Sequence, residues 1–393
     1  MANTLTFTQA ATVLNSLARQ VTGRTDLVAV DADSFVSVAN AALQTGIDPL
    51  NMGISQVLDR TLFAVRPYYA KFTAMEKTSG EFGAWERKIN YCDDDFVTDS
   101  AYPLTDGQSI DMYTVRKPKV LQLNFYGQNI VSDFITRSEE QLKVAFRGPE
   151  EFGEFFAGAL QNLSDKHEQK TENICRLNLA NLICATVAQI GANSSPRLVH
   201  LLTEYNDVTG GSYTATSIMS ADNYTDFMRW VYGRIAVARD RLTDRSAIYH
   251  MNVTGKEVMR HTPYDKQVLY IYAPELRQME ARVLSDTYND KRIEYKSVEL
   301  VNYWQSILTP MSVSSTPAYM GADGGAIEAQ SAITVNNVFA VLADYETMGI
   351  RRYSDGMRAT PLNAAGLYTN FWYHWRWRNY VDFTENAVVF LLD

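Results

Sequence analysis

The sequence predicts an α+β fold, on three observations. A helix signal opens at Pro149 and keeps apolar positions at helical spacing to Thr186. A strand, a proline-opened helix and a second strand succeed one another between Gln267 and Val301, a compact sheet-and-helix layer. Near the end, Leu367 to Phe383 alternates with a period of two and gathers aromatic side chains on one face.

In chain order, the first fifty residues are small, polar and weakly periodic. Patches at Ala10–Ala18 and Ser34–Leu43 suggest short helices, and the region reads as an arm rather than a core. Residues 54–76 carry a helical rhythm (Val57, Leu58, Leu62, Val65) broken at Pro67. From Ser79 to Lys119, Phe82, Trp85, Ile89, Tyr91 and Phe96 are interleaved with charges and turn residues. This predicts a long exposed hairpin or loop. Loops of that length are uncommon unless functional, and apolar side chains on one need a surface such as a neighbouring subunit to cover them. Val120–Tyr126 then reads as a strand.

The helix from Pro149 has a proline in its first turn and Glu150 and Glu151 near its positive end. Run to Thr186, it would span about 57 Å at ~1.5 Å per residue. Its polar centre, with Asp165, Lys166, Glu168, Lys170 and Glu172, should face solvent or another subunit. Asp222 is placed to cap a helix through Phe227, Val231, Ile235 and Leu242, and Ser246–Val253 looks strand-like. Gln267–Tyr272 is a strand, Ala273-Pro274 opens a helix to Leu284, and Ser297–Val301 is a strand. Val338–Leu342 reads as a buried strand, and Gly356–Gly366 as a polar connection. In the tract that follows, Phe371, Tyr373, Trp375, Trp377, Val381 and Phe383 share one face. Trp372, His374, Arg376, Arg378, Tyr380 and Asp382 share the other. Phe371, Tyr373, Trp375, Trp377 and Phe383 are therefore the expected core, and a last strand covers Ala387–Leu392.

Composition narrows function. With 393 residues, 46% of them hydrophobic and 12% aromatic, the chain can build two or three domains with real cores and is not predominantly disordered. The best apolar stretch, Ile174–Ile190, is interrupted by Arg176, Asn178 and Asn181, so no membrane span is expected. The N-terminus lacks the basic region and apolar core of a secretion signal, predicting a protein that stays soluble where it is made. A net charge of −9 disfavours a dedicated nucleic-acid binder. Cys92, Cys175 and Cys184 are too few and scattered for a disulfide framework, and about 900° of helix separates the last two, so a reducing cytoplasm fits.

No enzyme motif is present: no GxSxG, GxxxxGK[ST], HExxH, CxxC or GxGxxG, and the five histidines lie apart. The expectation is therefore no enzyme, no cofactor and no metal. Asp93-Asp94-Asp95 with Asp99 is the best cation candidate, but it lacks the glycine and closing glutamate of an EF-hand and reads better as a solvated loop. Gly321–Gly325 lacks the lysine of a phosphate loop and reads as a surface loop.

The order of these elements resembles the major capsid proteins of tailed bacteriophages, the Hong Kong 97-type capsid fold. The ending Gly366-Leu-Tyr-Thr-Asn-Phe-Trp-Tyr-His-Trp through Asn386-Ala-Val-Val-Phe is similar to those of small short-tailed phages. The resemblance implies an N-terminal arm (1–50) and peripheral-domain strands (51–148) with an extended E-loop hairpin (79–119). It further implies a long spine helix in the peripheral domain (149–190), an α/β axial domain (191–335) and returning strands (336–393). It also implies a structural subunit that self-assembles into hexamers and pentamers of an icosahedral shell around double-stranded DNA. The partners would be copies of itself, a portal, and scaffolding or decoration proteins, with DNA enclosed without sequence-specific binding. The setting would be a virion assembled in the host cytoplasm, with no membrane. Subunit-interface candidates are then Phe82, Trp85, Arg87, Phe96, Arg376 and Arg378. The lysine–asparagine cross-link of some relatives has no placed counterpart. Two alternatives stand beside this reading: an encapsulin-like compartment shell, and a carbohydrate- or nucleic-acid-binding module using the aromatic strand.

Overall fold

The computed structural model describes residues 7–43, 70–77, 86–92, 106–107, 113, 117–126, 129–138, 149–191, 195–279, 297–321, 324 and 327–393. The helices are α1 (Phe7–Thr22), α2 (Ala32–Leu43), α3 (Pro149–Ile190), α4 (Leu201–Thr209), α5 (Ala215–Ile218), α6 (Ala221–Arg241) and α7 (Ala273–Met279). The first strands are β1 (Glu76–Lys77), β2 (Glu86–Tyr91), β3 (Val120–Phe125), β4 (Asn129–Ser138) and β5 (Leu198–His200). Then come β6 (Gln267–Tyr272), β7 (Ser297–Val301), β8 (Val313–Ser315), β9 (Ala318–Met320), β10 (Ile327–Ala329) and β11 (Ile333–Val335). The last four are β12 (Val338–Asp344), β13 (Met348–Ala359), β14 (Tyr368–Val381) and β15 (Ala387–Leu391).

Helix α3 is one continuous helix of 42 residues, about 63 Å at ~1.5 Å per residue. Two sheets flank it. One has the order β1-β13-β14-β4, with only β1/β13 parallel; the other is β5-β15-β12-β6-β7, parallel at both edges. In the five-stranded sheet β6, β12 and β15 are buried at every position, which explains their unbroken apolar runs. Phe339, Leu342, Val388 and Phe390 on one face meet Phe227, Val231 and Ile235 of α6. Val341, Val389 and Tyr270 on the other face join the core built around α3. The chain after residue 336 therefore does not form a unit of its own. Strands β12 and β15 complete the five-stranded sheet, and β13 and β14 make most of the four-stranded one.

The expected arm needs correction. Leu14, Leu17 and Ala18 of α1 and Phe35, Val38 and Ala39 of α2 are buried in the same core as α3. Within 54–76, residues 54–69 lie outside the described residues. Residues 73–77 form a 3-10 turn and the short β1 instead of a continued helix. The polar centre of α3 is only half solvent-facing: Asp165, Lys166 and Lys170 are exposed, but Glu168 and Glu172 are buried. Asp222 lies in the first turn of α6, whose N-cap is Ser220. Ser246–Val253 makes only isolated bridges, Ser246 to Arg260 and Val253 to Lys256. Helix α7 is described to Met279, and the stretch to Leu284 lies outside the described residues. The polar connection starts later than expected, because β13 runs to Ala359. Its arginines, glycines and serine hide the alternation, yet it pairs with β14 along almost its whole length. Cys92, Cys175 and Cys184 are free thiols, and burial pushes the Cys184 thiol up to about 11.

Candidate functional site

Strand β14 has the two faces that its alternation predicts. Phe371, Tyr373, Trp375, Trp377 and the following Phe383 are all buried. Trp375 lies 4.9 Å from the Tyr373 ring and 5.4 Å from His167 of α3, centroid to centroid. This inward face seats the sheet on the polar centre of the helix. There Glu168 accepts the Ala70 N–H at 3.1 Å and faces His167 at 3.7 Å and Arg352 of β13 at 3.8 Å. Arg352 continues to Glu76 at 3.1 Å. Glu172 holds Arg176 at 2.6 Å, and the Arg176 guanidinium lies 3.9 Å over the Tyr303 ring. Asn178 accepts from Asn379, which in turn accepts from Asn129, each at 2.9 Å. The polar run thus serves as the helix's docking chemistry and not only as a wetted face.

Burial raises the Glu168 carboxyl, but the His167 hydrogen bond, Arg352 and the Ala70 N–H outweigh it and leave it below the ordinary range. A depressed carboxylate stabilises the fold above its unfolded value, and that contribution is lost as pH falls through the folded value. Glu168→Gln should therefore flatten the acid limb of the stability–pH curve. Urea melts between pH 7 and pH 3 check this, with the wild-type advantage present at neutral pH and closing in acid.

The second cluster lies at the base of the β2–β3 hairpin. β2 and β3 pair antiparallel from Glu86↔Phe125 to Tyr91↔Val120. Glu86 is held by Arg378 of β14 at 2.5 Å and Arg351 of β13 at 2.9 Å. Arg378 also donates to the Phe125 carbonyl at 3.0 Å, and the Phe125 and Tyr380 rings sit 5.4 Å apart. Further along, the Lys88 ammonium reaches both Asp382 and Glu385. Arg260 bridges Glu385 at 2.9 Å and Asn90 at 2.7 Å. Asp382 accepts from the Thr384 backbone at 2.9 Å and hydroxyl at 2.7 Å, so its own turn fixes it. Burial holds the Glu385 carboxyl above the ordinary range against the pull of Lys88 and Arg260. On the opposite face of β2, Ile89 is 51% and Tyr91 70% exposed. An open cleft of about 800 Å³ lies between β3 and α3, lined among others by Leu123, Tyr126, Leu177, Ile327 and Tyr380.

The interface candidates divide accordingly. Arg87 and Arg376 are exposed. Arg378 is 3% exposed, and its expected interface role is corrected: its charge is spent on Glu86 within its own chain. Phe82, Trp85, Phe96 and the Asp93–Asp95 run lie outside the described residues. Sequence reasoning missed Glu86, Lys88, Arg260, Arg351 and Glu385, whose partners lie far along the chain. Among the described residues no group of three potential metal ligands occurs, and no helix is long and apolar enough to cross a membrane.

A family model described as Phi29-like phage major capsid protein matches residues 60–391. Among solved structures, the capsid structure of Staphylococcus phage Andhra superposes with a TM-score of 0.55 at 11% identity, covering 84% of this chain and 86% of that one. The bacteriophage P68 structure of head fiber and inner core protein gp22 gives a TM-score of 0.52 at 12% identity, again covering 84% and 86%. At these identities the likeness is one of fold. No curated protein matches the chain.

Proposed function

The chain belongs to the Phi29-like phage major capsid protein family, and from that premise we propose how its copies join into a shell. It is a structural subunit of a phage capsid with the Hong Kong 97-type fold, and its place is the virion. In our reading the β2–β3 hairpin is the base of the E-loop and α3 is the spine helix. The four-stranded sheet belongs to the peripheral domain and the five-stranded sheet to the axial domain. Copies form hexamers and pentamers of an icosahedral shell that encloses double-stranded DNA and meets a portal and scaffolding or decoration proteins. The chain has no catalytic role.

The observation that carries this reading is the hairpin. One face of β2 is locked to the body through Glu86, Lys88 and Asn90, while Ile89 and Tyr91 on its other face are bare. A rigid anchor under an uncovered apolar strand suits an element built to be covered by another copy. The test is expression of the full chain with its assembly partners, followed by sizing and negative-stain microscopy. Closed shells of uniform diameter containing DNA are expected. Only monomers or small oligomers under conditions that keep the subunit folded would overturn the reading, as would shells filled with a cargo protein.

A further inference from the structure

His250 sits in the irregular stretch between α6 and β6 and is only 3% exposed. Backbone bonds pin it to the turn that joins β14 to β15. The Met251 N–H donates to the Phe383 carbonyl at 2.8 Å, and the Ala387 N–H to the Tyr249 carbonyl at 3.0 Å. The ring is therefore held in place. Its Nε2 faces the Val258 carbonyl at 2.7 Å, and its Nδ1 faces Asn386 Oδ1 at 3.0 Å.

These partners form a chain with a fixed direction. Thr262 donates its one hydroxyl proton to the Asp344 carboxylate at 2.8 Å, so it accepts from Asn386 Nδ2 at 3.2 Å. That turns the amide oxygen toward His250. Both ring nitrogens then meet acceptors, and only an imidazolium donates from both. A neutral ring keeps the Val258 bond and sets a bare Nδ1 against an oxygen. Rotating the Asn386 amide relieves that contact, but its oxygen then competes with Asp344 for the single Thr262 proton. Thr262 and Asn386 are fully buried, so the neutral state leaves one buried bond unmade.

The chain brackets the hairpin anchor. Val258 and Thr262 flank Arg260, and Asn386 follows Glu385. Arg260 bridges Glu385 at 2.9 Å and reaches Asn90 of β2 at 2.7 Å. We infer that His250 is a proton-operated latch on the hairpin anchor. Protonated, it closes the chain from Val258 to Asp344 and clamps together the two segments that grip β2. Neutral, it opens one link and loosens that grip.

The charges facing the ring are Arg260 and Arg197, with Asp344 beyond Thr262. The turn that carries Asn386 adds Asp382 and Glu385, both held by Lys88. Burial, helped by Arg260 and Arg197, outweighs the bonds to Asn386 and Val258 and holds the imidazole below its ordinary value. The latch is thus open at neutral pH and closes in acid. It belongs to the single subunit and does not depend on the shell reading.

Nitrogen NMR of the full-length chain between pH 8 and pH 4 tests it, with His250→Gln assigning the ring signals. Above the midpoint His250 should carry one ring N–H, on Nε2, and below it two. The Asn386 side-chain amide should shift with the same midpoint. Exchange of the β2 amides, corrected for its intrinsic pH dependence, should slow roughly fivefold on closing, about the worth of one net hydrogen bond. His250→Gln should abolish that step while Glu385 still titrates. A step that persists in this variant would assign the effect to Glu385 and overturn the inference. Thr262→Val lets the amide turn freely, so His250 should titrate at lower pH and the β2 step should vanish. This variant keeps the test decisive should His250→Gln fail to fold. A wild-type ring with one protonation state throughout, or an Asn386 amide that ignores its titration, would overturn the latch.

Discussion

Trp375→Ala is expected to lower the unfolding free energy of the subunit by about 3–5 kcal/mol and to abolish shells. The indole is 6% exposed, wedged between β14 and the polar centre of α3, with Tyr373 and His167 as ring neighbours. Deleting it leaves a cavity where the sheet meets the long helix, and a domain's net stability is only about 5–15 kcal/mol. Urea unfolding of the purified subunit measures the loss. The neighbouring Arg376 points the other way, so Arg376→Ala should change stability by no more than about 0.5 kcal/mol. Equal losses for the two variants would contradict the two-faced strand.

Lys88→Met is the second large effect, expected to cost roughly 2–4 kcal/mol. Removing one partner of a buried ion pair strands the others, and Lys88, at 27% side-chain exposure, keeps some solvent, which trims the loss. Asp382 is 2% exposed and retains only its turn hydrogen bonds, while Glu385 keeps Arg260. The raised Glu385 carboxyl gives the pH sign. In the wild type, its contribution is full below the ordinary carboxylate value and lost as pH rises through the folded value. In Lys88→Met the folded value moves up further, so the variant's deficit should shrink as pH falls and Glu385 takes up a proton. Stability curves of both proteins across pH 4–8 show this directly, and a deficit that grows in acid would count against the network.

Regular elements were legible where one period dominated. Pro149-Glu-Glu marked the start of α3, and strict alternation marked both faces of β14. The all-buried strands β6 and β12 stood out as apolar runs. The helices α1 and α2 were undervalued because alanines fill much of their buried stripes. Yet Leu14, Leu17 and Ala18, and Phe35, Val38, Ala39 and Ala42, do recur at helical spacing. Strand β13 was partly missed because Arg351 and Arg352, charged residues in an otherwise strand-like run, spend their charge on Glu86 and Glu76. The hairpin anchor could not be read at all. Lys88 lies 294 residues from Asp382, and Arg260 lies 170 from Asn90, so only the folded sheet order brings them together. Glu168 misled for the same reason, since its partners Ala70 and Arg352 lie far along the chain, whereas Glu172 pairs with Arg176 four residues on in the same helix.

Hydrogen exchange of the hairpin amides, compared between isolated subunits and assembled shells, tests most directly whether a neighbour covers this element. Residues 86–91 and 120–125 pair with each other in the isolated chain, and Ile89 and Tyr91 lie open to water. In shells these amides should exchange at least tenfold more slowly than in the free subunit, while those of β12, already buried on both faces, should change little. Equal protection of the hairpin in the two states would contradict its role as the contact between copies.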